Sequence, residues 1–363
     1  MLGRIQPHYQ KIKAFYKEYE SFFMPALIAW GFVFHYITFK IIPITEVLYL
    51  VFVYLALATL AIIFIHLYDQ ELITQKLRYI RLFAPLLLQL MLGSIIGGVF
   101  IFYWFSGSIF VSWPFISIIV LLLIGLELYK HYLENAVVQL ALYSFAAFLM
   151  LAVALPYFFT SINPWFFILA GVISLALVFG LIWLLKKSPA IKNHKARIII
   201  VCVLIFAVMN VFYFYNLIPP VPLSIRDSGV YHNVYRSGGN YVVVSESETF
   251  FQRLSLIPTI HLQPGDRVYV FTSIYSPSDL NTDIVYDWQY YDPVQEKWVS
   301  EGKTSYQLVG GRLQGYNGYS YRANPAAGEW RVYIETPRGQ VLGQHEFNVE
   351  TVSQPPALQT EAK

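Results

Sequence analysis

Ile218-Pro-Pro-Val-Pro-Leu223 divides the chain into two differently patterned parts. Proline lacks a backbone N–H and fixes its own φ, so three prolines at 219, 220 and 222 cannot continue a helix and favour extended polyproline geometry. The stretch predicts a stiff spacer. On its N-terminal side the sequence is a succession of long apolar runs; on its C-terminal side the apolar residues recur with a period of two, as in half-buried strands.

Composition supports two parts of different kind. The chain has 363 residues, 56% hydrophobic and only 13% charged, against roughly 45–50% and about 25% in soluble domains. Residues before Arg226 hold 14 Lys/Arg against 7 Asp/Glu, and those from Arg226 onward 11 against 15. A basic, apolar part is thus followed by a mildly acidic one, which excludes the clustered basic surface that nucleic-acid binding requires. The single cysteine, Cys202, can make neither an internal disulfide nor a cysteine-based zinc site.

A membrane-spanning helix needs about 20 mostly apolar residues. Seven stretches qualify: Phe22–Ile42, Val47–Leu67, Ala84–Phe105, Val111–Leu128, Val137–Phe158, Pro164–Leu185 and Ile198–Leu217. Alternate connecting segments hold 13 Lys/Arg and the opposite three loops only Lys40, so the positive-inside rule predicts a cytoplasmic N-terminus and an extracytoplasmic C-terminal domain. The expected location is the bacterial cytoplasmic (inner) membrane. The expected organisation is a cytoplasmic amphipathic segment (1–21), a seven-helix transmembrane domain (22–217), a Pro-rich linker (218–240), a β-sandwich domain (241–350) and a disordered tail (351–363).

Ionisable groups inside a membrane are costly and usually functional. Glu46, His66, Asp69, Glu127 and Glu134 fall near span ends, where contact with headgroups accounts for them. His35 lies well inside a span, and Gln89, Gln139 and Asn210 can make interhelical hydrogen bonds. His35, Gln89 and Asn210 are the intramembrane polar candidates. Gly93, Ser94, Gly97 and Gly98 predict close helix packing, within the chain or between copies. The buried carboxylates of a proton-coupled pump are not seen, nor are the motifs of metalloproteases, P-loop proteins or serine hydrolases.

Beyond the prolines, strands are predicted at Tyr241–Ser245, Ser255–Leu262, Val268–Ile274, Ile284–Tyr291, Lys303–Val309, Gly318–Arg322, Glu329–Thr336 and Val341–Val349, with Gly/Pro turn signals between them. Short strands without intervening helices predict an antiparallel sandwich of immunoglobulin or fibronectin type. Trp288 and Trp330 lie on alternating strands and are expected in the core. Arg312, Tyr316, Tyr319, Tyr321 and Arg322 form an aromatic–basic cluster among glycines. Such residues are enriched at binding hot spots, although glycines there also suit a bulge with tyrosines filling the core. His232, His261 and His345 show no ligand-like spacing, and Asp283, Asp287 and Asp292 are expected to be solvated. No catalytic residue, metal site or cofactor is assigned.

Val268-Tyr-Val-Phe-Thr-Ser-Ile274, Trp288, Gly310-Gly-Arg312, Gly315-Tyr316, Tyr319-Ser320, Gly328-Glu-Trp-Arg-Val332 and Gly339-Gln-Val-Leu-Gly343, closing on Phe347, resemble the bacterial domain-of-unknown-function family 2914. The resemblance covers about Leu254–Val349, and the 218–223 prolines with Gly229-Val-Tyr-His232 are similar to its membrane-anchored members. It implies architecture and no activity. Where many members are expected to have histidine, two residues before Trp288, this chain has Tyr286, which speaks against a metal or acid–base role there. The function expected is that of a non-enzymatic envelope anchor whose outer domain binds an envelope protein or a cell-wall glycan, with the lipid bilayer and further copies of itself as the other expected partners. A membrane enzyme or transporter with a site between the helices, and a sensory receptor acting through a partner, are the alternatives.

Overall fold

The structure is a computed structural model and describes residues 10, 11, 14, 18, 44–128, 133–247, 257–276, 280–310 and 315–363. The chain divides into two compact units: a helical one that ends at Tyr215, and a β unit of Asn216–Lys363 with two short segments, Tyr103–Trp113 and Phe159–Ile162.

Seven helices are present among the described residues: α1 (Ile44–Asp69), α2 (Arg78–Ser106), α3 (Ile109–Leu128), α4 (Ala136–Phe158), α5 (Pro164–Leu184), the one-turn α6 (Pro189–Lys192) and α7 (Lys195–Phe214). Five are long and apolar enough to cross a membrane: Glu46–Asp69 in α1, Gln75–Trp104 running through α2, then α4, α5 and α7. The apolar part of α3, Val111–Gly125, is shorter. The expected first span, Phe22–Ile42, lies outside the described residues.

Helix α4 is the centre of this unit and is buried along nearly its whole length, packed by α1, α5 and α7. Alanines 146, 147, 152 and 154 give it a narrow, close-packing surface. Helix α5 begins at Asn163, whose side chain caps the Trp165 N–H, followed by Pro164 where a missing N–H costs nothing. The closest approach falls at Gly171: a Cβ there would lie 2.5 Å from the Phe206 ring and 2.7 Å from that of Phe148. Phe148 also meets Phe167 at 5.0 Å, and Phe167 stacks on Tyr213 at 4.0 Å. Of the small residues expected to pack closely on α2, Gly93 faces open space, whereas Gly97 and Gly98 are buried.

Among its described residues the β unit has eleven strands in three sheets. A five-stranded sheet runs β4 (Thr259–Leu262), β10 (Val341–Thr351), β9 (Gly328–Glu335), β6 (Asn281–Asp292), β7 (Lys297–Val309). A middle sheet runs β1 (Ser224–Tyr231), β5 (Arg267–Tyr275), β8 (Tyr316–Ala323), and an outer one β11 (Leu358–Ala362), β3 (Asn240–Glu246), β2 (Asn233–Ser237). All pairings are antiparallel except β4 with β10.

Strand β5 shows why the layers stack. Its even residues Val268, Val270 and Ile274 join a core with Tyr286, Trp288, Trp330, Val332, Ile334 and Phe347 of the five-stranded sheet. Its odd residues Tyr269 and Phe271 join a second, smaller core with Val234 and Val243 of the outer sheet. A strand buried on both faces reads as a continuous apolar run rather than an alternating one, as Val268-Tyr-Val-Phe does. Trp288 and Trp330 are core residues, each 2% exposed, and each indole N–H is satisfied, by Ser320 Oγ at 2.9 Å and by the Ala326 carbonyl at 2.8 Å.

Three expectations are corrected. Residues 218–223 are not extended: Val221 N–H and Leu223 N–H close turns on Pro219 and Pro220, and Ile218 and Leu223 are buried in the β unit. Residues 224–237, expected within the Pro-rich linker, form β1 and β2. The 351–363 tail ends in β11, which pairs with β3. In the last two cases the strands are fixed by long-range pairing and not by their own alternation, which tertiary context overrides.

A cationic cleft in the β unit

A cleft of about 940 Å³ opens on the β unit, at the upper end of small-ligand pockets, roughly 300–1,000 Å³. Its walls come from the middle sheet (Arg226, Asp227, Phe271, Ser273, Tyr316, Asn317) and from the outer one (Arg236, Asn240, Tyr241, Ala362), together with Lys363.

Local backbone features place these groups. Pairing of β1 with β5 runs Ile225↔Ile274 and then Asp227↔Ser273, so Arg226 is the extra residue of a β-bulge. A bulge turns its side chain away from the regular alternation. Arg236 faces Tyr241 across the β2–β3 hairpin, whose two-residue turn is Gly238-Gly239 with φ of +57° and +91°. Such turns need positive φ at both positions, which glycine adopts without a steric penalty. Gly315, φ +94°, opens β8 where a Cβ would lie 2.6 Å from Ser273 Oγ.

The charges are unequally matched. Lys363 Nζ lies 2.9 Å from Asp227 Oδ2 and 3.1 Å from Glu361 Oε1; burial opposes its charge, and the two carboxylates nevertheless hold its pKa above the ordinary lysine value. Among the described residues, Arg226 and Arg236 have no carboxylate partner. Each guanidinium lies instead over an aromatic ring, Tyr275 at 5.0 Å and Tyr241 at 6.0 Å. Among the described residues, the Asn317 amide oxygen is buried without a hydrogen-bond partner. A cleft with two uncompensated guanidiniums, tyrosine rings and amide groups can grip an acidic, hydrogen-bonding ligand.

The aromatic–basic cluster expected on β8 is split by strand alternation. Tyr316 reaches the cleft wall and stacks on Tyr306 at 5.9 Å. Tyr319 and Tyr321 point to the face opposite Tyr316, which is that of Phe271 and Asn317; they are 40% and 46% exposed and meet Tyr269, and the Tyr319 ring lies 6.3 Å from that of Tyr241. Arg322 pairs with Glu301 at 2.8 Å and lies over the Trp330 ring. Arg312 lies outside the described residues. The glycine of this strand, Gly318, leaves room for the Tyr306 ring.

Two histidines scattered in sequence meet in space. Glu246 Oε1 accepts from His261 N–H at 2.7 Å and lies 2.8 Å from His232 Nε2, while Oε2 lies 2.8 Å from His261 Nδ1. Burial would raise the Glu246 pKa, but the hydrogen bonds from His261 and His232 outweigh it and hold the carboxyl below its ordinary range. Among the described residues, no group of three or more His, Cys, Asp or Glu is arranged to hold a metal ion. His345 stands apart on β10; burial pushes its imidazole down to about 4, against a small opposing pull from Asp227. Asp287, expected to be solvated, is 6% exposed and accepts from Ser300 Oγ at 2.6 Å and Gln289 at 2.8 Å. Tyr286 is 1% exposed with its hydroxyl 2.6 Å from Thr272 Oγ1, an interior structural contact.

In the helical unit, Gln89 is buried, and Asn210 donates to the carbonyl of Phe206 on its own helix at 2.8 Å. His35 lies outside the described residues. His66, expected at a span end among headgroups, is 3% exposed, with Nδ1 3.1 Å from Ser188 Oγ and Nε2 3.2 Å from Gln139 Oε1. Gln139 in turn donates to the Leu133 carbonyl.

Among curated proteins, none matches the chain. Solved structures give distant likenesses. An immunoglobulin-like protein from Pseudomonas aeruginosa is 12% identical, with 36% of this chain and 98% of that one covered and a TM-score of 0.21. A β-glucosidase from Listeria innocua in complex with isofagomine is 15% identical, with 32% and 17% covered and a TM-score of 0.19. An alkylpurine DNA glycosylase from Pseudomonas fluorescens is 11% identical, with 74% and 77% covered and a TM-score of 0.21. TM-scores this low leave the fold to be read from the chain's own strands. Residues 281–349, from β6 through most of β10, match the family described as "Protein of unknown function (DUF2914)", and the C-terminal β unit is therefore a DUF2914-like domain.

Proposed function

We propose that this protein is a membrane-anchored, non-enzymatic binding protein of the bacterial cell envelope, which presents an immunoglobulin-like β-sandwich outside the cytoplasmic membrane. Seven spans, the first at Phe22–Ile42, put the N-terminus in the cytoplasm and the β unit on the opposite side, as the distribution of Lys and Arg among the loops demands. The observation that carries the reading is the open, polar and aromatic cleft between the middle and outer sheets. Its lining suits recognition: side chains that hydrogen-bond and stack are held on paired strands, which position a site more precisely than loops do.

The test joins location to binding. In a Cys202→Ser background, Ser237→Cys at the exposed hairpin is treated with a membrane-impermeant maleimide on spheroplasts. Labelling before lysis is expected; labelling only after lysis overturns the topology. Full-length detergent-purified protein is then exposed to solubilised cell-wall glycan and envelope protein fractions. Retention by the wild type and loss in Asn240→Trp, which adds bulk at the cleft, is expected. Equal retention by both overturns the cleft as the binding site.

A further inference from the structure

The ligand of this cleft can be specified by chemistry, given the binding role proposed above. We infer that it is an anionic carbohydrate, a sugar unit bearing a carboxylate or phosphate, with Arg226 and Arg236 on the acid group and Tyr241 and Asn317 on the sugar.

Charge is the first argument. From Arg226 onward the chain holds 11 Lys/Arg against 15 Asp/Glu, yet the cleft is lined by three cations and one carboxylate, Asp227. Asp227 is taken by Lys363 at 2.9 Å. The positive charge of Arg226 and Arg236 is therefore local, in a domain of opposite net sign. A concave surface lined by one sign of charge concentrates counter-ions of the other. Arginine is the side chain whose planar fork matches a carboxylate or phosphate with two parallel hydrogen bonds.

Placement is the second argument. Arg226 sits at the bulge of β1, and Arg236 stands over Tyr241 at the β2–β3 hairpin. Contact with tyrosine faces restricts both guanidiniums while leaving their N–H edges available to a ligand. The two arginines come from different sheets, so the acid group would bridge the mouth of the cleft.

The lining also argues against a bare inorganic anion. A volume of about 940 Å³ far exceeds what one phosphate fills. The remaining surface offers rings and amides, groups that pair with hydroxyls and with the C–H faces of a sugar. Asn317 contributes a buried amide oxygen that has no partner among the described residues, and a donor such as a ligand hydroxyl would remove that deficit.

The experiment is calorimetric titration of the full-length protein in detergent with trigalacturonate, glucose 6-phosphate, neutral maltotriose and inorganic phosphate. The acidic sugars are expected to bind at least tenfold more tightly than maltotriose, with affinity falling as salt rises. Arg226→Gln and Arg236→Gln, each exposed and so not needed for folding, are expected to weaken the acidic sugars at least tenfold and leave maltotriose unchanged. Arg→Lys variants should recover part of the loss. Equal binding of maltotriose, or acidic-sugar binding indifferent to both Arg→Gln variants, overturns the anionic assignment while the binding role stands. Inorganic phosphate binding as tightly as glucose 6-phosphate overturns the sugar. If none of the four probes binds, the anionic sugar is overturned, and retention of envelope fractions decides separately whether the binding role survives.

Discussion

Acidification from pH 7 to pH 5 should destabilise the β unit through His345. An ordinary histidine, as in the unfolded chain, has a pKa of 6.5; burial lowers the His345 value to about 4. Between those values the unfolded chain binds a proton that the native protein refuses, so stability falls as pH falls. For one such group the linkage relation gives about 2 kcal/mol lost between pH 7 and pH 5, and partial exposure of the residue trims this to about 1–2 kcal/mol. At roughly 2–4 °C per kcal/mol for a unit of this size, the melting temperature should drop by about 2–8 °C. Glu246 does not confuse this window. Its lowered pKa gives a contribution present above the ordinary carboxylate range and lost only as pH falls through the lower, folded value. The assay is thermal unfolding of the detergent-solubilised protein at pH 5, 6 and 7, followed by tryptophan fluorescence, for the wild type and His345→Gln. The amide does not titrate, so the variant should lose most of the pH 7-to-5 slope. An equal slope in both would refute the reasoning.

Gly171→Ala should destabilise the helical unit by about 1–3 kcal/mol through its clash with Phe206 and Phe148, whereas Gly180→Ala, which faces open space, should be neutral or stabilising by up to about 1 kcal/mol; melting of the two in detergent compares them. Trp288→Ala should cost about 3–5 kcal/mol by emptying the main core, measured by denaturant unfolding. Glu246→Gln should cost about 1–3 kcal/mol at pH 7 by weakening the bonds to His232 and His261. Its deficit relative to wild type should close below the ordinary carboxylate range, where Glu246 itself takes up a proton, and a pH series of unfolding curves reads this directly.

Much of the architecture was legible because it is written in local periodicity. Apart from Phe22–Ile42, which lies outside the described residues, the apolar runs match the helices within several residues, and alternation in Trp330–Ile334 marks the face that packs inward. What escaped was set at long range. Strands β1 and β2 were hidden in a Gly- and Ser-bearing stretch, although Gly238-Gly239 between Val234-Tyr-Arg and Tyr241-Val-Val is a two-residue hairpin signal. Strand β11 exists through its partner β3. The cleft draws residues from β1, β2, β3, β5, β8 and the β11 end, so no spacing along the chain announces it. Glu246 meets His232 and His261, 14 and 15 residues away along the chain, and only the pairing of strands makes them neighbours. The tyrosines of β8 carried a composition signal without a direction, and alternation sends Tyr316 one way and Tyr319 the other.

The two cores of the β unit are unequal. Among the described residues, seventeen buried side chains hold the five-stranded sheet to the middle one, and four hold the outer sheet. Stability in such a molecule is graded: the outer layer can detach at a free energy well below that of global unfolding. Amide hydrogens of β2, β3 and β11 should accordingly exchange with solvent earlier than those of β6 and β9. Because the cleft lies on that weaker seam, whatever occupies it also fastens the outer layer, so occupancy would be recorded as slowed exchange along the whole of β2, β3 and β11, at residues beyond the cleft lining as well as within it.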